Sequence, residues 1–220
     1  SRRQRQMCIR DRGKILAEEH PVDADIVVGV PESGNVAAMG YSLQSGIPYG
    51  MAFIKNNYIG RTFIKPKQSQ RESSVKIKLN VIEEVVKGKR IVMVDDSIVR
   101  GTQLRETTEF LYRNGAKEVH IRPACPPLLY GCKYLNFSRS KSEMDLITRR
   151  VIEKLEGTEV TDEILQEYTD PESPKYEQMV EEIRKELNFT SLRFNRLDDM
   201  LDAVEIDRCK LCTYCWDGRE

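Results

Sequence analysis

The stretch "KRIVMVDDSIVRGTQLRE", Lys89 to Glu106, places two adjacent aspartates at the end of an unbroken apolar run, with a small-residue turn and a helical segment straight after. Ile91 to Val94 carry no polar alternation, which is how a strand buried on both faces of a parallel sheet reads. "TQLRETTEFLYRNGA" has the apolar spacing of an amphipathic helix and ends at Gly115, a C-terminal stop. Between strand and helix the groups come in a chemically ordered series. Asp95 and Asp96 accept hydroxyl hydrogens or meet a cation. Ser97 and Thr102 supply hydroxyls, and Gly101 lets backbone approach a ligand closely. The amides from Ile98 through Val99 and Arg100 to Thr102 open a helix, whose N-terminus attracts phosphate. One end suits a diol and the other a phosphate, which together describe a ribose 5-phosphate. An ordinary helix N-cap at Asp96 or Ser97 explains one of these residues and leaves the rest of the string as coincidence.

Working outward, "DADIVVGVP" reads as an earlier strand from about Asp25 to Pro31, and "GNVAAMGYSLQSGI" as a helix stopped by Gly46. "PYGMAFI" reads as a second buried strand and "KEVHIRPAC" as a fourth, after the one ending at the aspartates. Strands alternating with helices of this length predict an α/β fold: a parallel sheet with helices on both faces. Ligands in such sheets bind beyond the carboxyl ends of the strands, where both "GVPESG" and "VDDSIVRGT" fall. The polar, basic stretch from Lys55 to Ser74 is either a lid over an anionic substrate or a solvated loop. From about Ser142 the chain turns to charged amphipathic helices, "EMDLITRRVIEKLEG", "YEQMVEEIRKELNF" and the short "RLDDMLDAV".

Composition narrows the classes. Lys+Arg and Asp+Glu each number 35 in 220 residues, so no overall charge draws the chain to nucleic acid or membrane. No apolar run approaches the roughly 20 residues of a membrane span. The opening "SRRQRQMCIRDR" is basic without an apolar stretch, unlike a secretory signal; it resembles the start of a mitochondrial presequence but is short and has no clean amphipathic period, so the cytoplasm is the expected location. Six cysteines, at 8, 125, 132, 209, 212 and 215, favour metal over disulfides there. The two histidines, His20 and His120, read as structural.

"VMVDDSIVRGT" resembles the phosphoribosyl pyrophosphate (PRPP) signature of type I phosphoribosyltransferases. With "GVPESGNVAAMGY" and "IKNNYIGRTFI" beside it, the chain from about Gly13 onward resembles the glutamine phosphoribosylpyrophosphate amidotransferase family. That resemblance implies the type I phosphoribosyltransferase fold and formation of 5-phosphoribosylamine from PRPP and ammonia in de novo purine synthesis. It implies that Asp95 and Asp96 hold the ribose hydroxyls and, with Ser33, place Mg²⁺. Ser97 to Thr102 cradle the 5-phosphate, and Pro31, Glu32, Ser33 and Gly34 form the pyrophosphate loop. Lys55 and Arg61 act as cationic catalytic groups of a closing loop, and Tyr58 and Ile64 line an ammonia passage. It further implies purine nucleotides as feedback inhibitors, and a homo-oligomer. A PRPP-binding regulator, or an inactive fragment on the same fold, is the competing reading; no added nucleic-acid module is recognisable.

The tail "CKLCTYCWDG" carries thiols at 209, 212 and 215, a spacing that converges on zinc or iron–sulfur centres. Some members of the resembled family hold a 4Fe–4S cluster, and by position Cys132, Cys212 and Cys215 match three of its ligands. The fourth lies upstream of where the match begins. Either Cys8 substitutes, Cys209 rearranges, or the cluster is incomplete. The expected organisation is a non-native leader over 1–12, a PRPP-binding domain over 13–141 and a helical extension over 142–220. The family's glutaminase domain is expected to be absent, which leaves free ammonia as nitrogen donor.

Overall fold

The computed structural model describes residues 2–55, 79–134, 145–204 and 206–219. Its centre is a parallel sheet of β1 (Ile26–Gly29), β4 (Arg90–Asp95), β5 (Glu118–Pro123) and β6 (Ser191–Leu192), in the order β1-β4-β5-β6. Along β4 the side chains alternate between two cores. Ile91 and Met93 enter one with Val28, Val119 and Ile121. Val92 and Val94 enter the other with Val27, Leu16, Ala37, Ala38 and Tyr41. All four β4 residues have no accessible surface, so the run needs no polar face.

Helices cover both sides, as a parallel sheet requires. α1 (Arg2–Glu19) and α2 (Asn35–Ser45) cover the smaller core. They pack closely because Gly13 faces the Ala37 carbonyl and Gly40 faces that of Arg10; a Cβ at either glycine would lie 1.9 Å from the oxygen. α1 is continuous through residue 13, so no break in structure marks the end of the expected leader. On the other face lie α4 (Thr102–Arg113), α5 (Ile147–Glu156), α6 (Asp162–Gln166) and α7 (Pro174–Glu186). Thr161 and Ser173 cap α6 and α7 by accepting from Ile164 N and Tyr176 N.

Two expectations differ from what is seen. "PYGMAFI" is not one buried strand: Tyr49 bridges to Val27, and only β2 (Phe53–Lys55) follows. β2 pairs antiparallel with β3 (Leu79–Val81), ahead of a single turn, α3 (Glu83–Val86). In this two-stranded ribbon one face meets solvent and leaves Ile54 exposed, as is Met51 just before it. The stretch after residue 145 is also more than helical. It shares the larger core and supplies β6 to the sheet edge, before α8 (Leu197–Asp202), a 3₁₀ turn (Arg208–Lys210) and α9 (Tyr214–Asp217). No described helix is long and apolar enough to cross a membrane.

Candidate PRPP site and cysteine tail

The carboxyl end of β4 sets up the first half of the site. Asp95 is the last strand residue and nearly buried, whereas Asp96 is exposed. Each carboxylate turns back on the chain: Asp96 N donates to Asp95 Oδ1 and Ser97 N to Asp96 Oδ1, both at 2.8 Å. Burial first, and the Asp96 carboxylate second, hold the Asp95 carboxyl well above the usual carboxylate range. Burial, and then the Asp96 carboxylate, push the Cys125 thiol up to about 12. Ile98 is buried as the anchor of the turn. Gly101, at φ 77°, precedes α4 and has no side chain with which to cap it, so the first-turn amides are left without a side-chain cap.

The helical extension holds this turn in place, a role that local sequence does not announce. Ile147 N donates to Val99 O at 2.9 Å, and Arg150 Nη2 donates to Arg100 O at 3.1 Å. Arg100 pairs with Asp145 at 3.0 Å. A Cβ on Gly101 would meet Ile147 Cδ1 at 2.7 Å and Leu187 Cδ2 at 2.9 Å. Asp145, Ile147, Arg150 and Leu187 lie more than 40 residues along the chain, so only tertiary packing reveals them.

The second half is the loop after β1. Val30 N donates to Val94 O and Gly34 N to Val30 O, each at 2.9 Å, tying the loop to the end of β4. A Cβ on Gly34 would lie 2.3 Å from Val94 O, so glycine is what lets the loop close against the strand. The Pro31–Glu32 peptide is cis. Glu32 and Ser33 project to solvent, and Lys55 at the end of β2 pairs with Glu32 at 3.1 Å. Pro31–Gly34, Lys55 and Asp95–Thr102 are thus gathered at one end of the sheet. Tyr58, Arg61 and Ile64 lie outside the described residues.

The two histidines sit elsewhere. His120 is buried between Ser191 Oγ at 2.9 Å and Glu118 Oε2 at 3.0 Å. His20 offers its carbonyl to Tyr41 and Arg122.

The cysteine tail is docked on the loop after β5. Leu129 N and Tyr130 N donate to Cys215 O at 2.9 and 3.1 Å, and Gln166 Nε2 donates to both Tyr130 OH and Asp217 O. Tyr214 stacks obliquely on Tyr130 at 5.4 Å, with the Lys133 ammonium 4.1 Å from its ring centre. This docking puts Cys215 within hydrogen-bond reach of Cys132, with Cys212 close enough to act on Cys215. Burial, then these two thiols, push Cys215 up to about 12. Cys209 is exposed on the 3₁₀ turn. Cys8, on α1, donates to Val204 O at 3.7 Å. Among the described residues no group of three or more His, Cys, Asp or Glu stands in metal-binding geometry.

Known proteins match this arrangement. Residues 9–134, more than half of the chain, match the phosphoribosyl transferase domain. The chain is 40% identical over 206 residues to the amidophosphoribosyltransferase of Methanothermobacter thermautotrophicus, covering 94% of this chain and 37% of that protein. It is 39% identical over 208 residues to the Mycobacterium bovis amidophosphoribosyltransferase, covering 94% and 35% respectively. Among solved structures, the glutamine PRPP amidotransferase from B. subtilis complexed with ADP and GMP superimposes with a TM-score of 0.72 at 36% identity, over 97% of this chain and 42% of that one. A structure described as the allosteric regulatory enzyme of purine biosynthesis gives a TM-score of 0.73 at 36% identity, over 97% and 41%. The chain spans little more than a third of the length of the curated relatives it matches. On these matches the chain belongs to the phosphoribosyltransferase family and is homologous, across most of its length, to part of the amidophosphoribosyltransferases.

Proposed function

We propose that this chain binds PRPP and transfers its phosphoribosyl group to ammonia, giving 5-phosphoribosylamine and pyrophosphate, the amidophosphoribosyltransferase step of purine synthesis. The observation that carries the reading is the convergence of Asp95–Thr102 and Pro31–Gly34 at the carboxyl ends of β4 and β1. Asp95 and Asp96 accept the ribose hydroxyls. The backbone from Ser97 to Thr102 and the N-terminus of α4 hold the 5-phosphate. The Pro31–Gly34 loop and Lys55 hold the pyrophosphate, with Lys55 leaving Glu32 to do so. Arg61 joins Lys55 as a second cation, and Tyr58 and Ile64 line the path of ammonia.

The lone pair of ammonia forms the new bond to the anomeric carbon. The bond to pyrophosphate breaks with its electrons going to the leaving oxygen, and one proton passes from nitrogen to solvent. Negative charge grows on pyrophosphate, so preset cations and amides aimed there lower the barrier. Mg²⁺, when bound, neutralises part of that charge. Asp95, Asp96 and Ser33 fit as its holders. A buried carboxyl driven toward protonation by burial and by a second carboxylate regains its ionised form beside a dication.

In the same reading the tail holds a 4Fe–4S cluster through Cys132, Cys212 and Cys215. Docking on the Leu129–Tyr130 backbone brings these thiols toward one another. Purine nucleotides act as feedback ligands, and the protein works as a homo-oligomer in the cytoplasm.

The test is PRPP consumption by the purified chain with Mg²⁺ and ammonium at alkaline pH, with phosphoribosylamine trapped as it forms. Ammonia-dependent release of pyrophosphate is expected. A folded chain that neither binds nor consumes PRPP overturns the proposal.

A further inference from the structure

We infer that Arg150, on the helical extension, is a positioning residue for the 5-phosphate of the bound phosphoribosyl group. The inference rests on the PRPP reading above and names the side chain that orients the phosphate-binding turn from outside it. Three consecutive carbonyls of that turn each accept a hydrogen bond. Ile147 N donates to Val99 O at 2.9 Å, Arg150 Nη2 to Arg100 O at 3.1 Å, and Arg105 N to Gly101 O at 2.9 Å. The peptide units that these carbonyls belong to are trans. In a planar trans peptide the N–H points opposite to the C=O, so each bond also sets the direction of one amide. Arg100 N, Gly101 N and Thr102 N are thereby turned away from the groups that hold their carbonyls. They are among the amides read above as the cradle of the 5-phosphate.

Two of the three donors are backbone groups, which any sequence in this fold would supply. Arg150 is the side chain among them, and the peptide it holds is the one that needs holding. That unit ends in Gly101, at φ 77°, where no Cβ limits rotation. Arg150 also donates through Nη1 to Asp145 O at 3.2 Å, while the Asp145 carboxylate pairs with the Arg100 side chain at 3.0 Å. The guanidinium thus ties Arg100 to Asp145 through both of their carbonyls. Its ion pair with Glu186, partly exposed and 3.5 Å long, adds little by comparison.

The base under Arg150 is rigid without it. Ile147, Val151 and Ile152 on α5 are buried in the larger core. Thr148 Oγ1 donates to Leu128 O, and Arg149 Nε to Leu129 O at 2.7 Å. Replacing Arg150 therefore leaves α5 in place and frees only the turn.

The experiment is titration calorimetry of the full chain in Mg²⁺ with three probes: PRPP, ribose 5-phosphate, and pyrophosphate, which lacks the sugar phosphate. Wild type, Arg150→Met, Arg150→Lys and Glu186→Gln are compared. Arg150→Met is expected to bind PRPP and ribose 5-phosphate about tenfold more weakly, the worth of a hydrogen bond from a charged donor. Its affinity for pyrophosphate is expected to match wild type, which a general loosening of the fold would not allow. Arg150→Lys, with the charge but no fork of donors, is expected to fall in between. Glu186→Gln is expected to bind every probe as wild type does, because it spares the bonds to the carbonyls. The gap is expected to persist in about 1 M salt, where a Debye length of roughly 3 Å removes any field effect of the lost charge. Equal binding of ribose 5-phosphate by wild type and both Arg150 variants overturns the role of Arg150 and leaves the PRPP site standing. So does a loss shared equally with pyrophosphate, reproduced in Glu186→Gln, or abolished by salt. If Arg150→Met does not fold, Arg150→Lys carries the same comparison. A folded wild type that binds none of the probes overturns the PRPP reading and this inference with it.

Discussion

Gly34 sits so close to Val94 that a Cβ at the glycine would lie 2.3 Å from the Val94 carbonyl oxygen, and it is this approach that seats the Pro31–Gly34 loop beside the Asp95–Asp96 turn. Gly34 has an ordinary right-handed backbone, at φ −75°, so its requirement is for space alone. Gly34→Ala should therefore push the loop away from β4, at a cost of about 1–3 kcal/mol for forced overpacking. PRPP affinity should fall together with the melting temperature. An unshifted melting curve with unchanged PRPP binding would show that the loop has slack.

Asp96→Asn and Asp95→Asn should separate function from stability. Removing a charged hydrogen-bond acceptor costs roughly 1.5–3 kcal/mol of ligand binding. Titration calorimetry with Mg²⁺ should thus show Asp96→Asn binding PRPP about ten- to a hundredfold more weakly. Asp95→Asn should also lose PRPP, yet be at least as resistant to urea as wild type. It removes a buried carboxyl whose ionised form is disfavoured by burial and by the Asp96 carboxylate, while an asparagine Oδ1 can still accept from Asp96 N. A lowered urea midpoint for Asp95→Asn would count against this account of the pair.

The two glycines between α1 and α2 should differ sharply from Gly46. Gly13→Ala or Gly40→Ala drives a methyl to 1.9 Å from a backbone carbonyl oxygen, which side-chain motion cannot relieve. Each should lower the melting temperature by roughly 2–4 °C for every kcal/mol lost. Gly46 has φ 75° and open space around it, so Gly46→Ala carries only the backbone penalty of about 1–2 kcal/mol. A melting temperature lowered as little by Gly40→Ala as by Gly46→Ala would mean that the helices re-space easily.

Asp25 should contribute to acid sensitivity. Hydrogen bonds from Arg90, side chain and backbone, hold its carboxyl down to about 2, below the ordinary value of 3.8. Because the folded value is depressed, the stabilisation is full above the unfolded value and is lost as pH falls toward the folded one. Urea midpoints of wild type should therefore drop between about pH 5 and about pH 2.5 by more than those of Asp25→Asn. Parallel curves would remove Asp25 from the acid response. The pair ties the entry of β1 to the entry of β4, through Asp25 N to Arg90 O and Arg90 N to Asp25 Oδ2, both 2.8 Å.

The parallel sheet was legible in the sequence because a run such as Ile91–Val94 has one stable place, buried on both faces. An apolar strand feeding an amphipathic helix then fixes the crossover. Gly46 and Gly115, at φ 75° and 87°, mark helix ends for the same local reason. β6 was not legible, since two residues carry no period and pair only because α7 delivers them to the edge of β5. "PYGMAFI" misled because an apolar run does not say how many of its faces will be covered. In the cysteine tail, spacing alone left open whether Cys8 substitutes as fourth donor, Cys209 rearranges, or the cluster is incomplete. Only the tertiary structure shows that the tail docks on the loop after β5, through Leu129 N and Tyr130 N on Cys215 O.

By itself the sequence determined the strand-end placement of Asp95, Asp96 and the Ser97–Thr102 turn, because these depend on groups within a few residues of one another. The tertiary structure alone decided what holds that turn: Ile147 on Val99, Arg150 on Arg100, and Leu187 beneath Gly101. Those contacts join segments far apart in the chain. Their existence depends on how two cores close around one sheet, and no local pattern encodes that.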